Sequence, residues 1–156
     1  MNDKGTVDSC QCAACRNACG HKPGWFLPGE AESAAATMNM TLKQFFDTYL
    51  AVDWWQGRPN TFVLAPAIRG YEGGMYPAKP TGACVLFKDG LCTIHGQHPH
   101  ECRAHLHTDT HAQVKVRHEQ VAAAWAGHQR QITELLGHEP AAEDYDIVEA
   151  LMWGMA

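Results

Sequence analysis

The chain has 156 residues and a mass of 17.2 kDa, enough for one domain that buries a real apolar core without disulfide staples. Apolar residues make up 46% and charged residues 19%, which excludes a disordered chain. The net charge of −5 with all ten histidines neutral offers no long-range attraction to a phosphate backbone, so no nucleic-acid partner is expected.

Residues Met1 to Ser9 are polar and of mixed charge, without the basic start and apolar run of a secretory signal, and no later stretch reaches membrane-spanning length. The expectation is a cytoplasmic protein with no membrane partner. A reducing compartment keeps cysteines as thiols, so the seven present read as ligands or catalytic groups before they read as a disulfide framework. The odd count agrees, since seven cannot all pair within one chain.

Four of the seven, Cys10, Cys12, Cys15 and Cys19, fall within ten residues, in a run with no helical or strand periodicity that would send them all into a core. His21 to Gly29 follows, with two Pro-Gly pairs bracketing Trp25, Phe26 and Leu27; this predicts a packed, turn-rich loop. Pro28 opens a short helix in its first turn, Glu30 and Glu32 sit near the positive end of its dipole, and alanines carry it to Met38.

Thr41 to Gln44 is a capping-box pattern, and Leu42, Phe45, Phe46, Tyr49 and Leu50 follow at the spacing of one helical face. This predicts a second helix, broken only by Gly57-Arg58-Pro59-Asn60. Thr61 to Ile68 reads as one buried strand, with Pro66 restricting it to an edge or an end. From Gly70 to Gly82, four glycines and two prolines make a long loop that could wrap over something.

A small hairpin comes next: Cys84 leads into Val85-Leu86-Phe87, Lys88-Asp89-Gly90 turns, and Leu91-Cys92-Thr93-Ile94 returns. Cys102 lies ten residues beyond Cys92. Thr108 or Asp109 caps a long helix to about Leu136, because Val114, His118, Val121, Trp125, His128, Ile132 and Leu135 step by threes and fours. Gly137 ends that helix. Glu143 and Asp144 start a last one with Ile147, Val148, Leu151 and Met155 on its apolar face.

The thiols thus form two sets, C-x-C-x2-C-x3-C and C-x7-C-x9-C, separated by sixty-four mostly helical residues. Soft sulfur suits zinc, copper(I) or iron–sulfur clusters and disfavours magnesium and calcium. One tetrahedral zinc takes four ligands, so seven thiols exceed one ion. One cluster could use four thiolates with three others nearby, or two zinc ions could share the seven cysteines with one histidine, and spacing does not choose. Neither set matches a zinc ribbon or the bacterial ferredoxin run.

The stretch Cys12-Ala13-Ala14-Cys15-Arg16-Asn17-Ala18-Cys19, with Pro23-Gly24 and Pro28-Gly29-Glu30-Ala31-Glu32, then Gly82-Ala83-Cys84 through Cys92-Thr93-Ile94-His95 and Pro99-His100-Glu101-Cys102-Arg103, resembles the CxxCxxCC family, the YkgJ-like cysteine cluster proteins. The resemblance spans Cys10 to Arg103. It implies a zinc- or iron-chelating domain, and a related domain in a flagellin lysine methylase is credited with an iron–sulfur cluster. It nominates Cys12, Cys15, Cys19, Cys84, Cys92 and Cys102. Where the family has adjacent cysteines this chain has Ala18-Cys19, so Cys10 stands as an additional ligand candidate; where the family has Arg-Pro before the last cysteine this chain has His98-Pro99.

Around the thiols, His21, His105, His107 and His111 are secondary ligand candidates, while His118 and His128 lie on the apolar helical stripe as core residues. Arg16 and Arg103 can offset thiolate charge, and Trp25, Phe26 and Tyr71 can shield the site from water. The expected fold is mainly α with a small β-hairpin, an irregular cysteine-rich metal-binding half (residues 10–103) packed on helices, with a helical tail at 108–154, all in one domain of residues 1–156. The expected function is metal binding through cysteines of both segments, an iron–sulfur cluster being slightly favoured over zinc. An interaction protein stabilised by zinc, with a protein partner on the helical tail, and a redox or methyl-transfer enzyme component are the alternatives; no glycine-rich nucleotide fingerprint supports the last.

Overall fold

The computed structural model describes residues 24–55, 57–77, 82–88, 91–94 and 110–141. Helices predominate among them, with two antiparallel hairpins. Helix α1 is Glu30–Thr37; its N-cap is Gly29, in the left-handed region at φ 92°, so Pro28 lies just outside the helix rather than in its first turn. Both glutamates occupy the first turn as expected, and Glu30 also accepts from the Leu27 amide at 2.7 Å.

Helix α2 is Leu42–Tyr49, started by the full capping box: the Thr41 side chain accepts from the Gln44 amide, and the Gln44 side chain accepts from the Thr41 amide. It is shorter than its apolar spacing predicts. Strand β1, Leu50–Trp55, begins at the residue after the helix and pairs antiparallel with β2, Arg58–Pro66. Leu50, Val52 and Trp54 alternate with Ala51 and Asp53 as readily as Leu50 continues the helical face. The buried pairing with Val63, Leu64 and Ala65 decides in favour of the strand. The expected strand at Thr61 to Ile68 is therefore the second half of a hairpin that starts at Leu50; the strand itself begins at Arg58, and Pro66 does end it.

Residues beyond β2 wrap back on the sheet. In the loop after Gly70, Val52 donates to the Gly74 carbonyl at 2.8 Å and accepts from the Tyr76 amide at 2.9 Å, giving β1 a parallel neighbour at Met75. Tyr76 is buried and its hydroxyl donates to the Pro66 carbonyl. A small second hairpin is present as expected but is shorter and shifted: β3, Phe87–Lys88, is antiparallel to β4, Leu91–Cys92, in the register Phe87 opposite Cys92, so Lys88 is a strand residue, Val85, Leu86, Thr93 and Ile94 are turn residues, and Asp89 and Gly90 lie outside the described residues.

Helix α3, His111–Trp125, is capped by Thr110, not by Thr108 or Asp109, both of which lie outside the described residues. Thr110 and Gln113 repeat the reciprocal bonds of Thr41 and Gln44. The predicted single helix to Leu136 is interrupted by one 3-10 turn at Ala126–His128, and α4 follows as Gln129–Leu136. Gly137 terminates it at φ 85°. The Lys43 ammonium of α2 donates to the Leu135 carbonyl at 2.9 Å, satisfying an end group of α4.

One core results, built from Phe45 and Phe46 of α2, the central residues of β1 and β2, Val121, Ala122 and Trp125 of α3, and Ile132 and Leu135 of α4. His128 is exposed, a correction to its expected core position: the 3-10 turn moves it off the stripe, with its ring edge-on to Trp125 at 6.0 Å. Among the described residues no helix is long and apolar enough to cross a membrane. The expected last helix from Glu143 lies outside the described residues.

Candidate metal centre

Of the seven nominated ligands, Cys84 and Cys92 fall on described backbone, and Cys10, Cys12, Cys15, Cys19 and Cys102 lie outside the described residues. So do His21, His105, His107, Arg16 and Arg103, while His111 is the first residue of α3 and is described through its backbone. Among the described residues no three His, Cys, Asp or Glu side chains gather as a metal site.

Cys84 is 5% exposed. It stands opposite Ile68 in an antiparallel bridge, bracketed by hydrogen bonds from Val85 to the Ala67 carbonyl at 2.9 Å and from Arg69 to the Ala83 carbonyl at 3.3 Å. This makes the two a non-hydrogen-bonded pair, the arrangement that brings facing Cα atoms to about 4.5 Å. Gly82 allows the approach: at φ 149°, a Cβ there would stand 2.6 Å from Cγ2 of Ile68. From Cys84 the chain turns directly into β3, the Phe87 amide donating to the Cys84 carbonyl at 3.0 Å. Cys92 sits opposite Phe87, in a short ladder that follows the bridge between Cys84 and Ile68.

The first cysteine segment enters the described structure at Gly24, five residues after Cys19. Its next residues are held on three sides. The Phe26 amide donates to the Leu64 carbonyl of β2 at 2.9 Å, and the Phe26 carbonyl accepts from Trp125 Nε1 of α3 at 2.7 Å. Trp25 is buried, with its Nε1 donating to Asp53 Oδ2 at 2.8 Å and its ring stacked on His118 at 4.2 Å between centroids. Phe26, seven residues after Cys19, and Cys84 are therefore both bonded to one strand and its continuation, at Leu64 and Ile68. Four residues of extended chain span at most about 13 Å.

Trp25 and Phe26 are part of the hydrophobic core, whereas Tyr71 is 37% exposed and packs edge-on against Tyr76. His118 is half-buried and, besides stacking on Trp25, meets Trp55 edge-on at 6.0 Å.

Asp53 is the residue that sequence reasoning passed over. It is 1% exposed, the one buried charged side chain among the described residues, and each carboxylate oxygen accepts a bond: Oδ2 from the Trp25 indole and Oδ1 from the Trp54 amide at 2.7 Å. The available signal was an acid set inside the apolar run Leu50 to Trp55, where a charge is expensive to bury without donors.

Comparison with protein-family models, curated proteins and solved structures gives no match. Donor chemistry therefore carries the functional argument. Among the described residues Cys84 supplies the one cysteine side chain, and sulfur suits a soft metal ion while giving no advantage to a hard one.

Proposed function

We propose that this protein binds metal through cysteines of both segments, Cys10, Cys12, Cys15 and Cys19 with Cys84, Cys92 and Cys102, as an iron–sulfur cluster or zinc. The observation that supports the reading is that Phe26, seven residues after Cys19, bonds to Leu64 while Cys84 is bridged to Ile68 on the continuation of the same strand. The resemblance to the CxxCxxCC family supports it, and so does the number of thiols, which exceeds the need of one structural zinc.

Bound zinc would contribute on the order of 10 to 16 kcal/mol to folding, and an iron–sulfur cluster would supply electron transfer. The excess of thiols favours the cluster. The acidic net charge supports a protein that does not bind nucleic acid.

Elemental analysis with an absorption spectrum, on full-length protein purified without oxygen, tests the reading. Iron with labile sulfide and a broad visible band is the expected result. Zinc at one or two per chain in a colourless solution replaces the cluster by zinc. Metal below a tenth of an equivalent after reconstitution with either overturns the proposal.

A further inference from the structure

We draw no further inference here: the strongest candidate, the solvent-facing side of α3 on which Val116 stands 56% exposed in line with the exposed Ala112, Ala123 and Ala124, carries nothing, because nothing in the structure shows what covers it.

Discussion

The side-chain amide of Gln129 hydrogen-bonds both backbone groups of Phe62, donating to its carbonyl at 3.0 Å and accepting from its amide at 2.9 Å. The first residue of α4 thereby does for the outer edge of β2 what a neighbouring strand would do. Two residues on, the Phe26 amide takes the Leu64 carbonyl. An edge that would otherwise invite another chain is closed by one side chain and one backbone segment.

Gln129→Ala should therefore destabilise the protein by about 1 to 3 kcal/mol, the cost of leaving buried strand groups without partners. Gln129→Glu should cost more than a neutral isostere normally does, because it sets a carboxylate against the Phe62 carbonyl while also losing the bond to the Trp125 carbonyl. Urea denaturation of the two variants measures this; equal stability of Gln129→Ala and wild type would show that the edge needs no closure.

Gly82→Ala should destabilise the hairpin region, since the new Cβ meets Ile68 Cγ2 at 2.6 Å in a backbone region that side chains rarely adopt. The strain is of order 1 to 3 kcal/mol. Ile68→Ala removes the methyl that clashes, so the double variant should be less destabilised than the sum of the singles. Strict additivity in thermal melts would mean that the backbone, not Ile68, sets the cost.

Thr110→Ala removes an acceptor from the Gln113 amide and should cost about 1 kcal/mol, with Thr41→Ala losing a similar amount at α2. Serine at either position should recover most of the loss. Hydrogen exchange resolved by residue should place the new fraying in the first turn of α3 for one variant and of α2 for the other.

The Arg58–Glu119 pair, at 2.7 Å with both side chains more than a third exposed, should matter much less. Arg58→Ala is expected to cost under about 1 kcal/mol, and the difference should shrink further in high salt. A larger, salt-independent loss would mean that Arg58 acts through packing rather than charge.

Cys15→Ser and Cys92→Ser, one from each segment, should each lose metal. Metal analysis of the purified variants reads the outcome, and full retention in both would sink the joint site. Cys10→Ser is expected to have a smaller effect if Ala18 marks a thiol this chain does without, and an equal one if Cys10 replaces it.

The parts of the fold that could be read from sequence carry a local signature. Thr41 with Gln44 fixes the start of α2, Gly137 fixes the end of α4, and the turn signal Lys88-Asp89-Gly90 places the small hairpin, though not its strand ends. Thr110 with Gln113 has the same spacing as the first of these, and that reciprocal bonding selects Thr110 over Thr108 and Asp109. The change from helix to strand at Leu50 has no punctuation, because neither Gly nor Pro separates Tyr49 from Ala51 and the apolar spacing serves both periods. Only pairing with residues 58–66 settles it. The acid inside the apolar run marks Asp53, but its donors are legible only in the structure. The two cysteine sets were evident from spacing alone; that Phe26 and Cys84 bond to β2 and its continuation required the structure.

The hydrogen bond from Trp125 to the Phe26 carbonyl joins residues 99 positions apart. On a ribosome adding about 5 to 20 residues per second, roughly 5 to 20 s pass between the emergence of Phe26 and that of the indole that secures it. Leu64 and Asp53, which hold the Phe26 amide and the Trp25 indole, emerge well before that. Residues 24–26 can therefore settle on the nascent hairpin first, and the bond from α3 closes over them last.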